Sequence, residues 1–254
     1  MSIAFFDIDG TLAIGRNIPA SAEQAIARMR ANGHLVFICT GRPRAYAERH
    51  FGAFADGFVC NNGRLAFMGD RTLHDRALAA EEVREFVQAL DSVRAGYAFL
   101  EEWKAYYGGN PAYRHVAEEV WDAEMLLDGI DAATLHAFNF DVYFADAAHR
   151  ERIADALGSR CLVNPHGPHP SADVTVLGCD KGDAIASVSQ VLGVGLDDVY
   201  AFGDGVNDEP MLRVAGHGVA MGNAVDELKA IAEYVTTDIL DDGVANALVH
   251  YDLA

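Results

Sequence analysis

The sequence predicts an α/β fold, and three observations carry that prediction. Short apolar runs alternate with helical patterns at both ends of the chain. Several of those runs end in turns rich in Asp, Thr, Gly and Asn. The alternation then breaks near residue 80 and resumes near residue 179. A strand–helix–strand rhythm implies a doubly wound parallel sheet. The break implies an inserted α+β domain over residues 80–178, which divides the sheet-bearing domain into 1–79 and 179–254.

Taken in order, Ile3-Ala4-Phe5-Phe6 reads as a buried strand leading into Asp7-Ile8-Asp9-Gly10-Thr11. Ser21 and Gln24 have capping-box spacing, and Ala25, Ile26 and Met29 recur at helical intervals before Gly33. Leu35-Val36-Phe37-Ile38-Cys39 is continuously apolar, as a parallel strand covered on both faces should be. It ends at Thr40-Gly41-Arg42-Pro43, and a short helix is expected over 44–51. Phe58-Val59-Cys60 is a further strand, ending at Asn61-Asn62-Gly63.

Within the insertion, Val83, Phe86, Val87 and Leu90 form one stripe of a helix over 80–90. A helix is also expected through His115-Val116 and Val120-Trp121. Residues 138–144 are apolar at even positions, which predicts a half-exposed antiparallel strand. A helix over 149–157 and strands at 160–163 and 173–176 follow, with a loop rich in Pro and His at 164–170. Beyond the insertion, Lys181-Gly182 opens a helix, and Val199-Tyr200-Ala201-Phe202 is a strand ending in Gly203-Asp204-Gly205-Val206-Asn207-Asp208. Pro210 falls in the first turn of the next helix. Gly218–Met221 and Tyr234–Thr236 are read as short edge strands.

Composition narrows the function. The 254 residues are 51% hydrophobic, enough to fill a large core or two smaller ones. A net charge of −19 disfavours binding to nucleic acid or to an anionic membrane through the general field. A small anionic substrate remains compatible with that charge, provided that local cations receive it. No secretory leader and no run of membrane-spanning length is present, so a cytoplasmic protein is expected. Cys39, Cys60, Cys161 and Cys179 show no CxxC spacing and are expected to be free thiols.

The strand ends carry the chemistry. Asp7 and Asp9, one residue apart, can bind a hard cation, attack phosphorus or shuttle a proton. Alone they are also an acidic turn. Thr40 can donate to a phosphate oxygen, or simply cap a helix. Lys181 can neutralise a phosphate, or lie on the surface. Asp204 and Asp208 can hold a metal, or serve as turn and N-cap residues. Open α/β sheets gather such strand ends along one edge, where ligands bind. The joint pattern therefore outweighs each bland reading.

These motifs, with Ile38-Cys39-Thr40-Gly41-Arg42 and Asp180-Lys181-Gly182, resemble the haloacid dehalogenase-like phosphohydrolases. The resemblance covers 1–79 and 179–254. The position of the insertion is similar to the subgroup with a type II α+β cap. Within it the chain most resembles the Cof-type sugar-phosphate phosphatases, with the eukaryotic-type phosphomannomutases and the sucrose- and mannosylglycerate-phosphate phosphatases as cousins. The resemblance implies a Rossmann-like core, a cap, and a Mg²⁺-dependent phosphatase for a small phosphorylated metabolite. It implies that Asp7 is the nucleophile and forms an aspartyl-phosphate, and that Asp9 is the proton shuttle, its carbonyl also facing the metal. Asp7 and Asp204 would ligate Mg²⁺, with Asp208 helping directly or through water. Thr40 and Lys181 would bind the transferring phosphoryl group, with Asn207 donating to it. Gly41, Arg42 and Asn61 would lie near the substrate. Glu209-Pro210 departs from the family pattern, where an apolar residue is usual after the motif.

Two other readings follow from the same residues. A phosphomutase would use the same aspartyl-phosphate and return the phosphoryl group to a bound sugar. A regulatory binding module would keep the fold without turnover, and the intact set of Asp7, Asp9, Thr40, Lys181 and Asp204 argues against it. Within the insertion, His166 and His169 are expected as solvated loop residues, with substrate contact as the alternative if that loop faces the core, and Glu101–Lys104 with Tyr106 and Tyr107 as packing, with lining the cap side of the site as the alternative.

Overall fold

A computed structural model describes residues 1–121 and 124–254. The chain forms two compact units, one of Met1–Asp75 with Cys179–Ala254 and the other of Arg76–Gly178.

The first unit begins with β1 (Ile3–Phe6), α1 (Ala20–Ala31), β2 (Leu35–Cys39), α2 (Arg44–Phe51), β3 (Gly57–Cys60), β4 (Leu65–Met68) and β5 (Arg71–Asp75). The second contains α3 (Ala80–Ser92), β6 (Gly96–Leu100), β7 (Ala105–Gly109), α4 (Arg114–Val120), β8 (Leu126–Asp128), β9 (Asn139–Tyr143), α5 (Ala147–Leu157), β10 (Cys161–Pro165) and β11 (Ser171–Val176). The first unit then resumes with α6 (Lys181–Leu192), β12 (Val199–Gly203), α7 (Glu209–Val214), β13 (His217–Ala220), α8 (Asp226–Lys229), β14 (Tyr234–Val235) and α9 (Gly243–His250).

The sheet of the first unit runs β14-β13-β12-β1-β2-β3-β4-β5, and the pairs from β14 to β3 are all parallel. This is the doubly wound, Rossmann-like arrangement that the sequence predicts. All four residues of β1 are fully buried, as expected of a central strand with helices on both faces. Phe6 sits opposite both Phe202 of β12 and Ile38 of β2. Asp7, Gly203-Asp204 and Cys39-Thr40 therefore leave the sheet side by side.

Local details differ from the sequence reading in instructive ways. The Ser21–Gln24 capping box does not form. Pro19 takes the N-cap position with φ −56°, and the helix starts at Ala20. Proline's fixed φ suits a helix entry, so Ser21 is drawn inside the first turn. β13 is not an edge strand, because β14 pairs along its outer side. At the opposite edge, β4 and β5 form an antiparallel hairpin that the sequence reading does not assign. Its turn is Gly69-Asp70, with Gly69 at φ +58°, a two-residue hairpin signal.

The second unit is a six-stranded sheet, β10-β11-β9-β6-β7-β8, antiparallel except for β7 and β8. Phe86 and Leu90 of α3 and Ile153 and Leu157 of α5 pack on Tyr97, Phe99, Phe140 and Val142 of the sheet. Val116 and Ala117 of α4 join Ala98, Leu100, Tyr107 and Tyr143, which point to the other face. Both faces of β9 are thus covered, and all five of its residues are buried, which corrects the half-exposed expectation. The period-two pattern has the right phase, but the odd face meets α4 and Trp121 in place of solvent. Asp141 shares that side with the buried Asn139, and its carboxylate accepts a 2.9 Å hydrogen bond from Trp121 Nε1.

Two other expectations for the insertion are modified. His166 and His169 are tied down at the β10–β11 turn, each with Nδ1 within 2.8 Å of the Ser171 hydroxyl. His169 Nε2 also lies 3.1 Å from Glu119. Tyr107 packs as expected, but Trp103 is 50% exposed beside a shallow cavity of about 220 Å³ that Glu101, Lys104 and His136 also line. All four cysteines are buried, and none is in a disulfide. No helix among the described residues is long and apolar enough to cross a membrane.

Candidate active site

The site grows from the end of β1. The Asp7 amide donates to the Phe202 carbonyl at 3.0 Å, which extends the parallel ladder by one residue and fixes the start of the loop. The loop then folds on itself, with Ala13 N–H bonded to the Ile8 carbonyl at 2.8 Å. Gly10 has φ +89°, and a Cβ there would lie 2.3 Å from Asp204 Oδ2. Only glycine fits, because the turn needs a positive φ and the Asp204 carboxylate fills the space of a side chain. Thr11, fully buried, donates its hydroxyl to Asp204 Oδ1 at 2.8 Å.

Lys181 is the first residue of α6, and a reciprocal capping box sets its position. The Asp180 carboxylate accepts from Asp183 N–H at 3.0 Å, and the Asp183 carboxylate accepts from Asp180 N–H at 3.2 Å. Lys181 is only 1% exposed, and its ammonium sits 2.7 Å from Asp7 Oδ1 and 2.6 Å from Asp208 Oδ1. The other oxygen of Asp208 accepts from the backbone N–H groups of Asp204 and Gly205, at 2.9 and 3.0 Å. Burial alone would lower the Lys181 pKa, but Asp208 and Asp7 more than offset it, and the ammonium is held charged. Burial pushes Asp7 up to about 7, against the pull of Lys181, while Asp208 and Asp204 push it further. Asp204 is also raised, by burial first.

Asp7, Asp204 and Asp208 bring one carboxylate oxygen each within 4.8 Å of one another. Three carboxylates and one ammonium leave an excess of negative charge that a divalent cation would neutralise. The donors are all oxygen, which suits a hard cation such as Mg²⁺. Both Asp208 oxygens are already engaged by Lys181 and two backbone amides. Asp7 and Asp204 would therefore be the better direct ligands of such a cation, with Asp208 holding the pair in place.

Asp9 lies apart from this cluster. Its carboxylate is 49% exposed and faces the Arg42 guanidinium at 3.3 Å, and that guanidinium also lies over the Tyr46 ring. Thr40 is buried and accepts the Arg42 N–H on its hydroxyl at 3.1 Å. A Cβ on Gly41 would lie 2.9 Å from Asn62 Oδ1. Asn61 is 1% exposed with φ +53°, and neither its amide nitrogen nor its amide oxygen has a partner among the described residues. A buried amide of that kind is costly unless a ligand or water completes it. Asn207 is exposed on the 3₁₀ turn Val206–Asp208.

The strand ends thus bring Asp7, Asp204, Asp208 and Lys181 together and leave Asp9 with Arg42. The sequence reading gives no role to Thr11 or to the Asp180–Asp183 cap. Thr11 had no distinctive signal beyond its place in the motif. The cap did, since Asp-x-x-Asp before an apolar helical run is a helix-start pattern.

The sequence profile of the haloacid dehalogenase-like hydrolases matches residues 4–248. YkrA of Bacillus subtilis strain 168 is 31% identical, with 97% of this chain and 96% of that protein covered. The pyridoxal phosphate phosphatase YbhA of Escherichia coli K12 is 26% identical over 94% of each chain. Among solved structures, a subclass IIB sugar phosphatase superposes with a TM-score of 0.78 at 28% identity, covering all of both chains.

Proposed function

Since the chain belongs to the haloacid dehalogenase-like hydrolases and is a phosphoric monoester hydrolase, we propose that it is a Mg²⁺-dependent phosphatase of small phosphorylated metabolites, working through an aspartyl-phosphate. One observation carries this reading: the Lys181 ammonium is buried between Asp7 and Asp208, with Asp204 alongside. A carboxylate that attacks a phosphate ester must overcome charge repulsion, and this arrangement supplies fixed positive charge at the attacking group.

Asp7 is the nucleophile. Its carboxylate oxygen forms the bond to phosphorus as the bond to the leaving oxygen breaks. Asp9 gives its proton to the departing alkoxide, and then takes one from the water that hydrolyses the acyl phosphate. Lys181 and Thr40 hold the phosphoryl oxygens, with Asn207 as a further donor. Asn61 offers its unpartnered amide toward the ester, and Gly41 and Arg42 complete the substrate side. Asp7 and Asp204, steadied by Asp208 and with the Asp9 carbonyl as a further oxygen donor, would hold Mg²⁺. When bound, Mg²⁺ supplies Lewis-acid polarisation and charge neutralisation at the phosphoryl group.

Residues 80–178 are taken as the cap that decides which ester is accepted, and 1–79 with 179–254 as the catalytic core. The similarity to a pyridoxal phosphate phosphatase and to a sugar phosphatase supports a small phosphomonoester as substrate. The strongly acidic composition supports a small-molecule partner over nucleic acid.

The test is phosphate release from a panel of sugar phosphates, nucleotides and cofactor phosphates, with Mg²⁺ and with EDTA. Release of inorganic phosphate that needs Mg²⁺ and disappears in Asp7→Asn is expected. Release that persists in metal-free buffer, or in Asp7→Asn, overturns the reading.

A further inference from the structure

Asn223 lies on the segment after β13, outside every motif singled out from sequence. Its side-chain amide nitrogen donates to the Gly10 carbonyl at 2.7 Å, and its oxygen accepts from the Ile239 N–H at 3.0 Å. Both ends of the amide are used, so its orientation is fixed. A flipped amide would set NH₂ against an N–H and oxygen against a carbonyl.

The segment that carries Asn223 is itself anchored. Gly222 N–H donates to the Thr237 carbonyl and Val225 N–H to the Asp204 carbonyl, each at 3.0 Å. Gly222 has no room for a side chain, since a Cβ would lie 2.4 Å from the Asp238 nitrogen. Asn223 therefore joins a rigid platform, bonded to the backbone of Asp204, to the loop that carries Asp9.

Outside the loop, the Thr11 hydroxyl already reaches Asp204 Oδ1 at 2.8 Å, on the far side of Gly10 from Asp9. Asp7 is held by the Phe202 carbonyl and by Lys181. Beyond it the backbone bonds of residues 8–13 run within the loop itself, such as Gly10 N–H to the Ala13 carbonyl at 3.1 Å. The bond from Asn223 reaches the carbonyl of the residue directly after Asp9. Gly10 is also the residue where a Cβ would collide with the Asp204 carboxylate.

We infer that Asn223 is a positioning residue for Asp9, fixing the turn at Gly10 so that the proton-transferring carboxylate keeps its place relative to Asp7. This rests on the phosphatase reading and on the role proposed there for Asp9. The effect should depend on the leaving group. An alkyl phosphate needs its leaving oxygen protonated, whereas an aryl phosphate with a stable phenolate does not. A loss confined to the nucleophile or the fold would lower both alike. Because Asn223 is exposed, its replacement empties no core, and Asn223→Asp still leaves the Ile239 N–H an acceptor.

The experiment measures kcat/KM for 4-nitrophenyl phosphate and for glycerol 1-phosphate in the wild type, Asn223→Ala, Asn223→Asp and Asp9→Asn, with a thermal melt of each. Asn223→Asp keeps the acceptor for Ile239 and replaces the donor to Gly10 with a carboxylate oxygen that the carbonyl repels, so it breaks the Gly10 bond while the Ile239 bond stays. Both Asn223 variants are expected to melt within a few degrees of the wild type. Each should lose roughly 10-fold on the alkyl ester and at most about 3-fold on the aryl ester, a fraction of what general acid help is worth. Asp9→Asn should move the ratio further in the same direction. An unchanged ratio in both Asn223 variants, while the wild type turns over both esters, overturns the inference alone. A wild type that hydrolyses neither ester removes the phosphatase reading and the inference with it.

Discussion

Each sheet of this protein carries a buried aspartate, and the two meet different fates. Asp7 stands at the end of a parallel strand, beside a buried ammonium and two further carboxylates. Asp141 stands in the middle of β9, 4% exposed, with the Trp121 indole N–H on one oxygen. Burial raises both, Asp7 to about 7 and Asp141 to about 6. For Asp7 the Lys181 ammonium supplies counter-charge at 2.7 Å, and a divalent cation would supply more, so the carboxylate can work as an anion. For Asp141 the offsetting influences are hydrogen bonds from Trp121 and Tyr143 and the charge of His166, which do not outweigh burial, so ionisation stays costly. Burial alone does not make an acid functional. Position at a strand end, where loops from neighbouring strands converge, supplies the counter-charge.

Removing each group should separate the two cases. Asp7→Asn should eliminate phosphate release, because an amide neither attacks phosphorus nor binds a hard cation well. Asp141→Asn should leave turnover within a few-fold of the wild type. If Asp141→Asn is as inactive as Asp7→Asn in the same assay, the contrast fails.

Lys181→Met should be next in size. It leaves Asp7 and Asp208 buried without their cation, a change that typically costs about 3–5 kcal/mol. Chemical denaturation should show that loss, and phosphate release should fall by roughly 10²–10³-fold or more. A variant of native stability would mean that the buried ammonium is not what holds the two carboxylates.

Asp204→Ala should raise the Mg²⁺ concentration needed for half-maximal rate at least 10-fold, while Asp9→Asn should not. A metal titration of both variants checks this, and equal shifts would count against the proposed ligand set.

The smallest effect concerns pH and stability. Burial raises Asp141 in the folded chain to about 6, from an ordinary value of 3.8. An acid whose folded pKa is raised contributes stability that is full below the unfolded pKa and is lost as pH rises through the folded one. Between pH 4 and pH 6 the wild type should therefore lose stability relative to Asp141→Asn, by roughly 2 kcal/mol in all. The variant should keep the Trp121 bond through its amide oxygen. Parallel denaturant midpoints for the two proteins across that window would show that Asp141 is not held neutral by burial.

The sequence made the first unit easier to read than the second, for physical reasons. β1, β2 and β12 are continuous apolar runs because both faces of a parallel sheet are covered, and each ends in a motif. The insertion relies on antiparallel pairing, where alternation suggests one wet face. In β9 that inference failed because α4 and Trp121 come from 20 or more residues away to cover the second face. The β4–β5 hairpin and α9 are short, and only Gly69-Asp70 signalled the former. At the site, the residue types at strand ends were legible because the chemistry demands them. The burial of Lys181 against Asp208 and the reach of Asn223 to Gly10 depend on contacts across 27 and 213 positions, which no local pattern encodes.

The central claim is that Asp7 carries the phosphoryl group. The most direct measurement is acid quench of the Mg²⁺-loaded enzyme during turnover of a phosphate ester, followed by borohydride reduction and peptide mass spectrometry. Reduction converts an acyl phosphate on aspartate to homoserine. The account predicts homoserine at position 7, and none when substrate is omitted. Homoserine at another aspartate, or none anywhere while phosphate is being released, would contradict it.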